Sequence, residues 1–275
     1  MQIQTNTSSL KNNDLTANQL RASILKMIHA GKSGHPGGSL SCLDILMSLF
    51  GDIMNFRPQE PEWADRDRCI LSKGHGVPAL YAVLAECGYF PKDWLMSLRQ
   101  LGSPLQGHPD RFRIPAVEAA TGSLGQGLSI AQGIAMAGKL DKKDYRVFCI
   151  VGDGEIQEGQ IWEAAMSAPK FKLDNLTVIV DYNHGQIDGR SDDVMSLEPL
   201  RQKWEAFNWA VTEVDGHNRV ELKNVLSKKA PGKPSLVIAN TIKGKGVSFM
   251  EGVIDWHGVA PTDEQLAKAL KELGQ

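Results

Sequence analysis

The residues best suited to chemistry follow two predicted strands in the second half of the chain. The apolar run Arg146–Val151 leads directly into Gly152-Asp153-Gly154, and the run Leu176–Asp181 is followed shortly by Asn183. Ligands of an open parallel sheet collect at the carboxyl ends of its strands. A carboxylate, an amide oxygen and a loop carbonyl are hard oxygen ligands that Mg²⁺ accepts, with further positions left for phosphate oxygens. The pattern favours a metal and phosphate site, although Asp153 alone could simply cap the following helix.

Four of the seven histidines lie in loops rich in glycine or proline, at His35, His75, His108 and His257. A single loop histidine is usually a solvated bystander, but four of this kind favour a shared cleft. Imidazoles supply donors and acceptors near neutral pH, which suits sugar hydroxyls and proton transfer at a carbonyl. No histidine has a second His or Cys at a metal-ligand spacing, so a zinc site is not predicted.

The elements that must position these residues fall into two kinds. Helical patterns and small-residue stretches alternate with short, continuous apolar runs, which is typical of a parallel sheet covered by helices on both faces. We therefore predict an α/β fold with a polar arm at 1–13 and one domain at 14–275. The predicted helices are 15–28, 39 or 41 to 49, 77–86, a stretch ending near 139, 159–168, 198–207, 219–229 and 263–272, and the strands are 146–151, 176–181, 210–214 and 235–240.

Composition excludes several classes of protein. The 275 residues carry 30 basic and 32 acidic side chains, a formal charge of -2, so neither a nucleic-acid nor a membrane-surface partner is indicated. The four cysteines have no C-x-x-C spacing, which favours a reducing compartment. The first residues lack a secretory pattern, and no run approaches the ~18 apolar residues of a membrane span. We expect a soluble, cytoplasmic protein.

Taken together, these motifs resemble the N-terminal, diphosphate-binding half of transketolases. The resemblance runs from about Leu15 to Glu264. It implies a three-layer thiamin diphosphate-binding fold in which a mostly parallel sheet is covered by helices on both faces. The motifs that carry it are Ser33-Gly34-His35-Pro36-Gly37, Ser72-Lys73-Gly74-His75-Gly76, Gly107-His108-Pro109, Gly122-Ser123-Leu124-Gly125-Gln126-Gly127, Gly152-Asp153-Gly154 with Asn183, and Trp256-His257-Gly258.

The resemblance also implies roles for the four loop histidines. His35 resembles the histidine that contacts the sugar at the reacting carbon, and His108 the one that bonds the terminal hydroxyl end of the donor ketose. His75 and His257 resemble histidines that hold the cofactor diphosphate, with His257 also reaching the substrate. All four are expected to be catalytic. The other three histidines match no such position and are interpreted as structural or exposed; they are His29, His184 and His217.

The expected cofactors are thiamin diphosphate and Mg²⁺, or Ca²⁺ or Mn²⁺ in its place. By resemblance, the metal ligands are Asp153, Asn183 and the carbonyl of Gly185. The set expected to bind the cofactor is His75, Gly122, Ser123, Leu124, Gly154, Glu158, Glu163, Asn183, Ile187 and His257. Gly154 would donate its N–H to the diphosphate, and Ile187 would pack over the cofactor. Glu158 and Glu163 resemble residues that link paired active sites, although glutamates in the first turns of a helix also stabilise its dipole.

A partner chain is implied as well. In the family a second α/β domain supplies the aminopyrimidine pocket, the glutamate that activates the cofactor and most contacts to the substrate phosphate. This chain ends near where that domain would begin. We therefore expect one subunit of a split transketolase, inactive alone and most simply part of an α2β2 assembly. It would transfer a two-carbon ketol unit from a ketose donor, usually phosphorylated, to an aldose acceptor. The alternatives are a subunit of a 1-deoxyxylulose-phosphate synthase-like carboligase and a non-catalytic cofactor-binding subunit.

Overall fold

The middle layer of the protein is a five-stranded parallel sheet. A computed structural model describes residue 10 and residues 14–275, with the backbone alone at 14 and 15, so most of the predicted arm at 1–13 lies outside the described residues. The strand order is β1-β2-β3-β7-β6. The strands are β1 Arg68–Leu71, β2 Val147–Gly152, β3 Leu176–Tyr182, β6 Ala210–Asp215 and β7 Ser235–Asn240, and a small antiparallel hairpin follows β3, formed by β4 Gly185–Gln186 and β5 Gly189–Arg190.

Helices cover both faces of this sheet. Helices α1, α2, α3, α8 and α9 pack into the hydrophobic cluster on one face, and α4, α5 and α7 into the cluster on the other. None of the described helices is long and apolar enough to cross a membrane. The helices are α1 Asp14–Ala30, α2 Pro36–Ser48, α3 Val77–Glu86, α4 Gln126–Leu140, α5 Gly159–Lys170, α6 Ser191–Met195, α7 Leu200–Ala206, α8 Arg219–Leu226 and α9 Asp263–Glu272.

The central strands are apolar throughout because both of their faces are buried. Along β2, Phe148 and Ile150 point into one cluster, whereas Val147, Cys149 and Val151 point into the other. All five side chains are fully buried. Successive side chains of a strand alternate between faces, so a continuous apolar run fills both cores at once. The predicted three-layer α/β fold is therefore confirmed.

Several elements differ from the predictions, and the β4–β5 hairpin and helix α6 were not predicted. Strand β1 at Arg68–Leu71 was not predicted, because a four-residue run that contains Arg and Cys gives little periodic signal. Helix α2 begins at Pro36 and not at Ser39 or Ser41. Proline suits the first turn of a helix, and Gly37 lies where a Cβ would come within 2.8 Å of the Trp256 carbonyl oxygen. Close tertiary packing there outweighs the poor helix propensity of glycine. The other predicted boundaries lie within three residues of those observed.

The first turn of α4 packs directly against Ser72, the residue that follows β1. A Cβ on Gly127 would come within 2.4 Å of the Ser72 Oγ atom and 2.6 Å of its Cβ atom. Gly133, two turns further along the same helix, is exposed and has no atom within 4 Å of the same position. The first glycine is therefore required by packing, and the second is not.

These two glycines give a matched pair of substitutions. We expect Gly127→Ala to lower the free energy of unfolding by about 1–3 kcal/mol, because the added methyl group overpacks the contact with Ser72. Gly133→Ala should raise it by up to about 1 kcal/mol, because alanine is the better helix former. Urea unfolding of both variants measures the difference. Equal effects would contradict the close approach at Gly127.

Candidate functional site

A cleft of about 270 Å³ lies at the carboxyl ends of β2 and β3. The parallel pairing sets Gly152 opposite Asp181, so the loops that follow the two strands lie side by side. The lining residues come from seven separate segments of the chain: Gly38, Lys73, His75, Leu124, Gly152, Asp153, Gly154, Glu155, Gln157, Asn183, Gly185, Gln186, Ile187, Lys243 and His257.

Asp153 places a buried carboxylate in this cleft. The residue is only 2% exposed, and its two oxygens accept hydrogen bonds from the Gly154 N–H at 2.9 Å and the Ser191 hydroxyl at 3.0 Å. Burial, and then the negative charge of Asp181, raise the pKa of the Asp153 carboxyl above its usual value. A buried carboxylate with a raised pKa is stabilised by a nearby cation. Asp153 thus both caps the turn after β2 and offers negative charge to the cleft.

Asn183 is oriented by three hydrogen bonds. Its amide nitrogen donates to the Ser41 hydroxyl and to Asp181, each at 3.2 Å, and its amide oxygen accepts from the Gly185 N–H at 3.1 Å. The Gly185 carbonyl accepts a hydrogen bond from Lys243 at 3.3 Å. The three residues expected to bind a metal therefore lie together at one edge of the sheet.

Asp181, at the end of β3, connects the loops that surround the cleft. Its fully buried carboxylate accepts hydrogen bonds from Lys73 and Thr241, and from the Ser41 hydroxyl at 2.6 Å. Burial alone would raise the pKa of Asp181, but the Lys73 ammonium and these hydrogen bonds hold it below its usual value. Lys73 also donates to the Gly38 carbonyl at 2.9 Å. This buried ion pair joins β3 to α2 and to the loop after β1.

Lys243 is a buried cation with no carboxylate within ion-pairing distance among the described residues. Its ammonium contacts the Gly185 carbonyl at 3.3 Å and the His257 Nδ1 atom at 3.2 Å. Burial and the charge of Lys73 lower the pKa of Lys243 to about 8, so the ammonium form still predominates at neutral pH. Taking a cation out of water is costly unless an anion accompanies it. The lysine therefore makes the cleft receptive to an anionic ligand.

The four loop histidines lie close together, and two of them, His75 and His257, line the cleft. The ring centroid of His35 lies 5.2 Å from that of His75, 5.6 Å from that of His257 and 6.4 Å from that of His108. Burial, followed by the charge of Arg99, lowers the pKa of His35 to about 4. Burial likewise lowers the pKa of the other three, to about 3 for His257. All four rings are therefore neutral at pH 7 and offer hydrogen bonds without charge.

Glu155 holds the glycine-rich loop against the cleft. Its buried carboxylate accepts hydrogen bonds from the N–H groups of Gly125 at 2.9 Å and Gly152 at 3.0 Å, and from the Ser72 hydroxyl. These bonds bring Leu124 into the lining and set Gly122 against the ring of His108. A Cβ on Gly122 would lie 2.8 Å from that ring, so only glycine fits there.

Comparison with known proteins decides the family. Residues 12–275 match the family model described as the thiamine diphosphate binding domain of transketolase. The chain belongs to the transketolase family. It is 47% identical to a 6-deoxy-6-sulfo-D-fructose transketolase subunit of Clostridium sp. (strain MSTE9), over 94% of each chain. It is 43% identical to an apulose-4-phosphate transketolase subunit of Phocaeicola vulgatus, over 95% of this chain and 94% of the relative.

The fold is also that of solved transketolases. The transketolase from Leishmania mexicana superposes with a TM-score of 0.89 at 33% identity, covering 96% of this chain but 42% of that protein. The chain thus spans about two fifths of a solved transketolase and almost the full length of relatives that are named as subunits. This confirms the predicted resemblance to the N-terminal subunit of a split transketolase.

Most of the transketolase residues expected at the site lie in or beside the cleft. Three lie further out in this chain: Ser123 and Glu163 are exposed, and Glu158 precedes α5 with its Cβ beside Gly125. The Gly154 N–H, expected to donate to the diphosphate, donates to Asp153. Among the described residues no group of three or more His, Cys, Asp or Glu side chains is arranged to bind a metal. The residues expected to bind Mg²⁺ would not form such a group, because only one of the three, Asp153, has a carboxylate.

Several residues of the site were not predicted. They are Gly38, Lys73, Glu155, Gln157, Asp181, Gln186 and Lys243. Lys73 lies within a motif that was noticed for its histidine, and Glu155 and Asp181 lie beside the predicted ligands Asp153 and Asn183. Lys243 follows the end of β7, where the rule that ligands collect at strand ends would have found it.

The Lys73–Asp181 pair should dominate the stability of the site. Asp181→Ala leaves a buried ammonium without its counter-charge, and we expect a loss of about 3–5 kcal/mol in the free energy of unfolding. The double variant Lys73→Met/Asp181→Leu should recover most of that loss, because it removes both charges together. Urea unfolding compares the two. A single variant as stable as the wild type would refute the central role of this pair.

Stability should fall as the pH is lowered from 7 towards 4. The folded-state pKa of His35 lies at about 4, below its ordinary value of 6.5, so between these values the unfolded chain binds more protons than the native chain. Urea midpoints at several pH values measure the slope, and His35→Asn should flatten it. An NMR titration of the His35 ring with a midpoint near its ordinary value would contradict this expectation.

Proposed function

We propose that this chain is the diphosphate-binding subunit of a split transketolase. With a partner subunit, it transfers a two-carbon ketol unit from a ketose donor to an aldose acceptor. The single observation that carries the proposal is one cleft that combines Asp153 and Asn183 with the buried ammonium of Lys243 and the neutral histidines His75 and His257. Family membership supports the class of reaction, and the site supports its cofactor.

The residues present fit a diphosphate with a divalent cation such as Mg²⁺, Ca²⁺ or Mn²⁺. Asp153, the amide oxygen of Asn183 and the carbonyl of Gly185 offer three hard oxygen ligands. A cation at Gly185 would replace the present contact of that carbonyl with Lys243 and leave the ammonium to the diphosphate. When bound, thiamin diphosphate would supply an electron sink for a two-carbon carbanion.

The histidines would act on the sugar as neutral hydrogen-bonding groups. The buried Nδ1 atom of His35 has no hydrogen-bond partner among the described residues. Such an atom is costly to leave unsatisfied, so a ligand hydroxyl or carbonyl oxygen is its natural complement. His108 lies further out, with its backbone carbonyl 3.4 Å from the Tyr81 hydroxyl. The four rings together can orient a polyhydroxylated chain and move protons at its carbonyl end.

The cleft opens to a surface that suits a partner subunit. Ile187 and Met195 are 71% and 62% exposed beside the mouth, and Ile130 and Met166 are exposed on the outer faces of α4 and α5. Exposed apolar side chains grouped around an active site often mark an interface. The partner would carry the aminopyrimidine pocket and the activating glutamate, most simply in an α2β2 assembly. The exposed Glu158 and Glu163 would then lie between paired sites.

The proposed donor is a ketose that carries an acidic group. One relative is named for 6-deoxy-6-sulfo-D-fructose and another for apulose-4-phosphate, and these names specify a sulfonate and a phosphate. A sugar phosphate or sulfonate is therefore the class to test first.

Reconstitution tests this function. The chain is expressed with an affinity tag in its own cells, the chain that co-purifies is identified, and the purified pair is assayed with thiamin diphosphate and Mg²⁺. Neither chain alone should transfer a ketol unit, and the mixture should. Full activity of this chain by itself would overturn the proposal. Decarboxylative carboligation of a 2-oxo acid, or cofactor binding without turnover, would favour one of the two alternative functions.

Asp153→Ala tests the metal site in the same complex. We expect loss of Mg²⁺-dependent cofactor binding, measured by calorimetry, and at least a hundredfold loss of turnover, because the carboxylate is the only anionic metal ligand proposed. Asp192→Ala is the matched control, since Asp192 lies in the neighbouring helix α6 but does not line the cleft. Unchanged turnover in Asp153→Ala would show that the metal is bound elsewhere.

A further inference from the structure

His217 lies behind the cleft, in the loop between β6 and α8, and bridges two segments that meet there. Its Nδ1 atom is 2.7 Å from a carboxylate oxygen of Asp44 on α2. Its Nε2 atom is 2.9 Å from the backbone nitrogen of Ile242, the residue before Lys243. The histidine side chain is 12% exposed; its contact with Asp44 is partly buried, whereas its contact with Ile242 is exposed.

The tautomer of this histidine follows from its partners. A backbone N–H can only donate, so the Nε2 atom must accept from Ile242. The proton of a neutral ring then lies on Nδ1 and is donated to Asp44. Arg21 donates to the same carboxylate oxygen at 2.6 Å, which holds Asp44 in place. A continuous series of hydrogen bonds therefore runs from α1 through α2 to the backbone beside Lys243.

Several hydrogen bonds hold the backbone around Lys243, and three of them involve Lys243 or its immediate neighbours. The Ile242 N–H donates to His217, the Gly244 N–H donates to the Gly37 carbonyl at 3.0 Å, and the Lys243 carbonyl accepts from the Gly252 N–H at 2.8 Å. Of these three partners, His217 alone acts through its side chain. The ammonium contacts the Gly185 carbonyl and the His257 Nδ1 atom but has no carboxylate partner among the described residues, so the position of the backbone contributes to where it points.

We propose that His217 is a positioning residue for Lys243. By accepting the Ile242 N–H, it fixes the backbone from which the lysine reaches the cleft, and so determines how well the ammonium meets the cofactor diphosphate. This inference rests on the proposed function, because it assigns that anion to Lys243. His217 does not line the cleft and does not touch the reacting groups.

Two substitutions distinguish the hydrogen bonds made by the two ring nitrogens of His217. In His217→Gln, the amide oxygen can reach the place of Nε2 and accept from Ile242. In His217→Asn, the shorter amide can reach only the place of Nδ1, so the Ile242 N–H loses its acceptor. In the reconstituted complex, we expect His217→Asn to raise the thiamin diphosphate concentration for half-maximal activity about tenfold, with kcat recovered at saturating cofactor. His217→Gln should stay within about threefold of the wild type.

Amide hydrogen exchange gives a second readout that does not depend on activity. Exchange at Ile242 should be faster in His217→Asn and slow in His217→Gln and the wild type, because only the first leaves the N–H without an acceptor. Asp44→Asn, which weakens the anchor of the same ring, should raise the cofactor requirement by a smaller factor. It serves as the second variant if His217→Asn does not fold.

Controls distinguish a local role from general destabilisation. His29 likewise bonds a carbonyl and a carboxylate, at Pro261 and Asp263, but lies away from Lys243. His29→Asn should leave the cofactor requirement unchanged. One outcome would overturn only the positioning role of His217 and leave the proposed function standing. In that outcome Lys243→Met weakens cofactor binding, whereas His217→Asn leaves both the amide exchange at Ile242 and the cofactor requirement at wild-type values. If Lys243→Met binds the cofactor like the wild type, the diphosphate assignment fails, and the positioning role with it.

Discussion

The site depends on one buried charge pair, Lys73 with Asp181. Asp181 ends the central strand β3, and its carboxylate receives hydrogen bonds from the loops after β1 and β7 and from Ser41 on α2. In a low-dielectric interior neither charge is tolerated without the other. The segments that carry the pair and its hydrogen-bond partners are therefore held in one relative position, and the residues that line the cleft take their places from them.

The charged side chains of the cleft that lie outside this pair determine what it can bind. Lys73 is neutralised by Asp181, whereas Lys243 has no such partner among the described residues, and Asp153 is a carboxylate that burial disfavours. Among the described residues, an ammonium with no carboxylate at ion-pairing distance and a carboxylate with no ion-paired cation therefore line the same small cleft. Under the proposed function, a diphosphate with a divalent metal would satisfy both, because each brings the charge that the protein group lacks.

Much of this protein follows from its sequence alone. Continuous apolar runs such as Val147–Gly152 specify buried parallel strands, since only a strand with two covered faces is apolar at every position. The same runs predict that Asp153 and Asn183 emerge at one edge of the sheet, because parallel strands end together. Local glycine and proline motifs identify the four loop histidines. Residue type and spacing were enough for the fold class and for Asp153 and Asn183.

Tertiary structure decided what depends on contacts between distant segments. Lys73 and Asp181, which form the ion pair, are 108 positions apart in the sequence, and Ile242 and His217, which share a hydrogen bond, are 25 apart. No periodic pattern in the sequence identifies partners at such separations. The lowered pKa of His35 likewise arises from burial that only the folded chain creates. Sequence therefore determined which chemical groups are available, whereas packing determined which of them carry charge and which are held in place.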